Sequence, residues 1–409
     1  MYGRHPDVIV RREYFGGIAF HTGTGATIEL DREACLFLER ADGRSIRAIA
    51  EGICGESCIR DIYAVADTLL REGFLAKGAK NSAIKATGWP EKGYLSAPET
   101  VHLAITHRCN ENCPWCYVDP VAEEMTTGEV KAIIREMAEM KVFQLAIGGG
   151  EPFLRGDLVE IVRYARQNGI IPNITTNGSL ITYHIAARLS GWVGQIQVSV
   201  YDHVDTRALT AIAVLKKEKI PFGINVLLSK RNFKQIDTII DFAARRGASV
   251  NFLRPKPSRQ RDWYKQSRLS REDYGVIREA LVKAQGKYGV TITVDCALSF
   301  LMNNEDQKEL LRHGVYGCTG AKRFLSIHPD GRAYPCSFLD FCAGNAKDGL
   351  YEVWRAMQSF RFIDKRMSGS CGTCTSREFC MGCRAIALHE TGDILSDDPG
   401  CIREYGTLA

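Results

Sequence analysis

Between Glu99 and about Asp295 one pattern occurs six times: a short, nearly unbroken apolar run followed by a stretch with apolar residues at helical spacing. The runs are "VHLAIT", "FQLAIG", "IIPNITT", "IQVSVY", "GINVLLS" and "VNFLRP". A strand with no polar face needs cover on both sides, so the repeat predicts a parallel sheet with helices outside it. Local stops agree with that division. Thr126 and Glu129 form a capping box ahead of Val130, Ile133, Ile134 and Met137, and Gly169 and Gly247 follow the helical stretches 157–168 and 233–246. Further helices are expected at 181–190, 206–219 and about 270–288. Six units make an α/β fold with a curved sheet or partial barrel, whose chemistry belongs at the carboxyl ends of the strands.

The flanks read differently. Residues 1–78 hold three β-prone runs, "DVIVRREY", "GGIAFHT" and "ATIELD", and then three helical stretches, two of them capped by Asp31 and Ser45. Strands before helices indicate a winged-helix-like α+β domain. Residues 79–98 read as a linker and 99–295 as the repeating core. Residues 296–409 are loop-rich and read as too core-poor to hold together without metal. The apolar runs are too short for a transmembrane helix, and "MYGRHPDVIVRREYF" lacks the apolar stretch of a signal peptide, so the cytoplasm is the expected compartment. A net charge of +5 suits an acidic peptide but is too mild to argue for nucleic acid. The basic run "RPKPSRQRDWYKQSR" (254–268) reads as a solvated loop over the barrel mouth.

Cysteine is the anomaly, with 15 in the chain and the densest group from Cys318 to Cys401. In a cytosolic protein, clustered thiols point to metal or redox chemistry rather than disulfides. Cys35, Cys54 and Cys58 lie outside any ligand pattern and are expected to be small buried hydrophobes. Cys109, Cys113 and Cys116 follow C-x3-C-x2-C spacing just past the first strand. Three thiolates on one loop suit a cubane iron–sulfur cluster with one iron left open, and a zinc knuckle completed by a ligand such as His107 is the alternative.

This loop, with Trp115 before its last cysteine, resembles the signature of the radical S-adenosylmethionine (radical SAM) superfamily. "GGGEP" (148–152), "TTNG" (175–178) and "SVYD" (199–202) follow the next three strands, as in that family. The resemblance implies that Gly149, Gly150, Glu151, Thr176, Asn177 and Ser199 bind S-adenosylmethionine. It also implies that a reduced 4Fe–4S cluster on Cys109, Cys113 and Cys116 cleaves the sulfonium to a 5′-deoxyadenosyl radical, which abstracts hydrogen from an unactivated C–H bond. An external flavodoxin- or ferredoxin-type donor supplies the electron.

Alone, Cys371-x2-Cys374-x5-Cys380-x2-Cys383 could be a zinc ribbon. After a radical SAM core, with Cys318, Cys336 and Cys401, it resembles the SPASM extension and its two auxiliary 4Fe–4S clusters. That likeness puts Cys318, Cys336 and Cys383 on the inner cluster and Cys371, Cys374, Cys380 and Cys401 on the outer one. Cys296 is the first candidate for the missing inner ligand and Cys342 the second, with substrate as the third. The two-residue gap between Cys380 and Cys383 departs from the family's usual three.

The amino-terminal module resembles the recognition element of enzymes that mature ribosomally made peptides, and a purely structural cap is the alternative. Together these features imply a leader-guided peptide maturase forming a C–S or C–C crosslink, or a related oxidation. A sulfatase-maturase-type dehydrogenase is weakened by Ser337, which follows Cys336 where that family has Asp. A cofactor-biosynthetic enzyme and a non-catalytic electron carrier complete the alternatives.

Overall fold

The structure, a computed structural model, describes residues 2–55, 58–79, 84, 88–91, 93–118, 123–201, 205–257, 261–284, 286–301, 317–377 and 379–402. It divides into two compact units, residues 1–98 with 138–143, and residues 99–137 with 144–409.

In the first unit β1 (Tyr2–Arg4) precedes the expected meander of β2 (Val8–Glu13), β3 (Gly16–His21) and β4 (Thr27–Leu30). Helices α1 (Arg32–Glu39), α2 (Ile46–Cys54) and α3 (Ile59–Arg71) follow, and β5 (Leu75–Lys77) returns to pair antiparallel with β1. Asp31 and Ser45 accept the N–H groups of Ala34 (2.8 Å) and Ala48 (3.2 Å), which fixes where α1 and α2 begin. The helices bury Phe37, Leu38, Ile49, Ile62 and Leu69 against Val10 and Ala19 of the sheet. Each such aliphatic or aromatic side chain is worth roughly 1.5–3 kcal/mol of burial.

Two readings of this unit need correction. Cys35 is fully buried, but Cys54 and Cys58 are only half-buried, and their sulfurs are paired across the start of α3. The described part of the 79–98 stretch is packed rather than loose. Leu95 and Ala97 are buried, Ser96 donates its N–H to Glu13 (2.7 Å), and Trp89 lies under the Arg12 guanidinium at 4.4 Å.

The second unit is built on one ten-stranded sheet. Its six central strands are β6 (Thr100–Thr106), β7 (Gln144–Gly149), β8 (Ile171–Thr176), β9 (Gln195–Val200), β10 (Phe222–Leu227) and β11 (Ser249–Leu253). They lie side by side in chain order, all parallel, as the repeat requires. Between them run α4 (Thr127–Glu139), α5 (Leu158–Gln167), α6 (Tyr183–Leu189), α7 (Thr206–Lys217) and α8 (Ile236–Arg246). The capping box forms, with Glu129 accepting the Thr126 N–H at 2.7 Å.

After β11 come α9 (Arg261–Ser267) and α10 (Arg271–Ala284), and then β12 (Ile292–Val294), parallel to β11. The 254–268 segment is therefore not a solvated loop: Arg254, Tyr264 and Ser267 are buried. The carboxyl-terminal stretch is loop-rich as expected but not core-poor. β13 (Phe324–Ile327) pairs parallel with β6, and β14 (Arg332–Tyr334) and β15 (Gly344–Asn345) extend the sheet. Trp354, Leu350, Val353, Phe360 and Ile363 are buried, so this stretch has an apolar core of its own making. Among the described residues no helix is long and apolar enough to cross a membrane.

Candidate active site

At the carboxyl ends of β6–β11 lies a cavity of about 850 Å³. Cys109, Cys113 and Cys116 line it, as do Gly149, Gly150, Thr176, Asn177 and Ser199. Three elements hold the cysteine loop in place. Gly150 N–H donates to Thr106 O (2.8 Å) and Glu151 N–H to Arg108 O (2.9 Å). Asn177 donates its side-chain amide to Asn110 (2.9 Å), and Asn110 in turn donates to Ser179 (2.8 Å). Arg207 donates to Asn177 O and Ser199 O and pairs with Glu111 at 3.4 Å. One guanidinium thus ties the ends of β8 and β9 to the cysteine loop.

The glycines are needed for this contact. A Cβ on Gly150 would stand 2.1 Å from Arg108 O, and one on Gly149, at φ +117°, would stand 2.2 Å from Thr106 O. Their close approach is to the backbone of the cysteine loop, a tighter constraint than proximity to a ligand.

Glu151 sits differently from the sequence expectation. It is fully buried and is not among the residues facing the cavity. Its carboxylate accepts from Thr176 Oγ1 (2.8 Å), Asn177 N–H (2.8 Å) and Phe153 N–H (3.1 Å). Burial raises its pKa, and those hydrogen bonds act in the other direction. In this arrangement it aims Thr176 and Asn177 rather than touching what the cavity holds. Asp202 lies outside the described residues.

The same cavity reaches Cys296, Cys318 and Cys336. Cys383 is within electrostatic reach of Cys296 and Cys336, so these four thiols form one neighbourhood. Cys342 does not join it. That side chain is exposed and contacts Gly344 O at 3.5 Å. Burial pushes the Cys336 thiol up to about 12 and the Cys383 thiol up to about 11, while Lys256 draws both down. Lys256 is itself ion-paired to Asp295.

The remaining cysteines of this field lie elsewhere in the same unit. Cys371 neighbours Cys401 and lies 3.9 Å from the Arg384 guanidinium. Buried Cys380 accepts from Ser299 Oγ at 3.3 Å, and Cys374 is half-buried. Arg254 and Asp398 organise the junction of the two groups. Arg254 donates to both Asp398 oxygens (2.7 and 2.8 Å) and to Ala297 O, while Asp398 also accepts the Cys383 N–H at 2.7 Å.

Sequence reasoning missed Arg207, Asn110, Arg254, Asp398 and the Lys256–Asp295 pair. Position offered a signal for two of them: Arg254 directly follows a strand's carboxyl end, and Arg207 lies two residues past Asp205, which caps α7.

Four thiolates on one tetrahedral zinc would stand ~3.8 Å apart, given Zn–S bonds of about 2.3 Å. Among the described residues, no three cysteine sulfurs lie within 4.8 Å of one another. Three or four thiolates per group is the donor set a multi-iron cluster takes, each sulfur on its own metal.

Residues 103–243 match the radical SAM superfamily, and residues 318–375 match SPASM, an iron–sulfur cluster-binding domain. An AdoMet-dependent heme synthase from Methanosarcina barkeri is 31% identical over 346 residues, covering 76% of this chain and 98% of that protein. The mycofactocin maturase MftC of Mycolicibacterium smegmatis is 30% identical over 347 residues, covering 78% and 86% of the two chains. The crystal structure of Streptococcus suis SuiB bound to its precursor peptide SuiA shares the fold, with a TM-score of 0.75 at 19% identity, covering 98% of this chain and 100% of that one. The cysteine loop, the strand-end polar set and the second cysteine field therefore have one origin: this chain belongs to the radical SAM superfamily and is a radical SAM enzyme with a SPASM iron–sulfur domain.

Proposed function

We propose that this enzyme modifies a precursor peptide, captured by the amino-terminal unit and delivered to the cavity, forming a crosslink or a related oxidation. Cys109, Cys113 and Cys116 would hold a 4Fe–4S cluster with an open iron, beside Thr176, Asn177 and Ser199 for S-adenosylmethionine. When bound, that pair supplies a 5′-deoxyadenosyl radical for hydrogen abstraction. Two further clusters are assigned to Cys296, Cys318, Cys336 and Cys383, and to Cys371, Cys374, Cys380 and Cys401. A flavodoxin- or ferredoxin-type donor in the cytoplasm would provide electrons.

The observation that carries the peptide reading is the charge state of the cavity wall. Its basic residues, Arg108, Arg254 and Lys256, are already paired with Glu124, Asp398 and Asp295. The wall also carries an aromatic cluster, Trp115 in contact with both Tyr201 and Trp263, 4.3 and 5.6 Å between ring centroids. Such a wall suits an uncharged peptide side chain. In the amino-terminal sheet, β4 pairs with β3 alone among the described residues, leaving an edge that an extended peptide can join. A cofactor-biosynthetic reading is favoured by the identity to the heme synthase, but an acidic tetrapyrrole would find no unpaired cation on this wall among the described residues.

Anaerobically reconstituted protein should bind about twelve irons, three cubanes of four, and release 5′-deoxyadenosine on reduction. Replacing Cys109, Cys113 and Cys116 together by Ala should abolish that release and leave roughly two thirds of the iron. Cleavage surviving in the triple variant would remove this loop from the mechanism.

A further inference from the structure

The first unit contains a group of metal-ligating side chains that the radical chemistry does not use. His5 and Asp7 lie in the turn between β1 and β2, and His21 is the last residue of β3. One ligand atom from each lies within 4.8 Å of the other two. The imidazole rings are 4.6 Å apart at their centroids, and His5 Nδ1 is 4.0 Å from Asp7 Oδ2. His21 is 6% exposed, whereas Asp7 is open to solvent, so one ligand is anchored and another can adjust.

The hydrogen bonds of the rings favour the same conclusion. His5 Nδ1 accepts the Asp7 N–H at 3.2 Å, and His21 Nδ1 accepts the N–H groups of Gly23 (3.1 Å) and Thr24 (3.4 Å). Both rings therefore present Nδ1 to the same turn that holds Asp7. These bonds run from 3.1 to 3.4 Å, on the long side of the normal range, and a cation can displace them at modest cost. The backbone holds the trio together: Thr22 donates to Asp7 O (2.8 Å) and Val8 to His5 O (3.0 Å).

We propose that His5, Asp7 and His21 bind a divalent cation of borderline softness, Zn(II) or Fe(II). Two nitrogens and one carboxylate oxygen would leave the remaining coordination positions to water. The ion would clamp the turn that opens β2 to the end of β3, stiffening the unit's sheet.

The test uses the full chain with its iron–sulfur clusters in place. Diethyl pyrocarbonate labelling of His5 and His21 is followed by mass spectrometry with and without added Zn(II). Metal should slow labelling of both histidines by at least about tenfold, with bound iron unchanged. Asp7→Asn, at an exposed position that spares the fold, should weaken the protection by about the same factor, and His21→Ala should abolish it. Equal labelling with and without zinc, or undiminished protection in Asp7→Asn, would overturn the proposal. Because the readout is confined to these histidines, it stands or falls separately from the peptide-modifying reading.

Discussion

Asp398→Asn is the sharpest probe of how the second cysteine field is held. The carboxylate is buried and accepts four hydrogen bonds, from Arg254 Nη1 (2.7 Å), Arg254 Nη2 (2.8 Å), Cys383 N–H (2.7 Å) and Gly400 N–H (3.0 Å). Gly400 packs so closely that a Cβ there would meet the Arg254 guanidinium at 2.0 Å. An amide keeps the shape, but it removes the charge opposite a buried guanidinium and turns one acceptor oxygen into a donor. Each buried donor left without a partner costs about 1–3 kcal/mol, and breaking a buried ion pair costs about 3–5 kcal/mol. A loss near 4 kcal/mol is a large part of an ordinary domain's stability of roughly 5–15 kcal/mol. It falls on the segment that carries Cys401 and touches Cys371 and Cys383. The anaerobic variant should melt earlier and retain about eight irons of about twelve, while reductive cleavage of S-adenosylmethionine continues. Burial alone would raise the Asp398 carboxyl, but the charge of Arg254 overrides it and the group ends below its usual range. Its contribution is therefore present above the unfolded carboxylate pKa and disappears as pH falls through the lower folded value. Replacing the pair by Arg254→Met with Asp398→Leu should recover only part of the loss, because the N–H groups of Cys383 and Gly400 still lack an acceptor. Full iron content and unchanged melting in Asp398→Asn would refute this account.

Three further perturbations test the site. Gly150→Ala forces a Cβ against Arg108 O at 2.1 Å, costs roughly 1–3 kcal/mol, and should weaken S-adenosylmethionine binding measured by calorimetry, since the cysteine loop loses its seat. Glu151→Gln leaves one of Thr176 Oγ1, Asn177 N–H and Phe153 N–H unsatisfied at about 1–3 kcal/mol, and should raise the Kd for S-adenosylmethionine with iron content unchanged. Burial, reinforced by His328 and His107, lowers the His102 pKa to about 4. Between the unfolded value near 6.5 and 4 the unfolded state binds more protons, so chemical denaturation should show stability falling as pH drops, by up to about 3 kcal/mol, with the slope flattened in His102→Gln.

The repeating core was legible because its strands carry period and length information locally, and Thr126, Glu129, Gly169 and Gly247 mark its helix ends. The radical SAM and SPASM cysteine motifs were legible because their spacing is a sequence property. What escaped was non-local. Nothing near Arg254 in sequence announces Asp398, 144 residues away, and the pairing of β13 with β6 joins segments some 224 residues apart. The basic run at 254–268 misled for a related reason. Arg254 and Lys256 are charged residues whose partners, Asp398 and Asp295, arrive only with the fold. Glu151 was read as an acceptor for the cofactor, but its environment, three donors from its own and the next strand end, is visible only in three dimensions.

The parallel pairing of β13 with β6 also settles how the two cysteine sets in the cavity can be related. Cys109 follows β6 by three residues, and Cys336 follows β14, which pairs directly with β13. Cys109 and Cys336 are therefore carried on strands of one sheet, β6 and β14, with β13 between them. Side chains reinforce the spacing: Tyr117 packs on Phe338 at 4.3 Å, and Ser337 bonds both Ser326 Oγ (2.8 Å) on β13 and His102 Nδ1 (3.2 Å) on β6. A hydrogen-bonded ladder of this kind opens only with a loss of several kcal/mol, since each buried backbone group left unpaired costs about 1–3 kcal/mol. The volume between Cys116 and Cys336 is thus fixed before anything enters it. On the peptide-modifying reading proposed above, a substrate side chain would have to conform to that gap, because a misplacement of about 1 Å can cost about a hundredfold in rate.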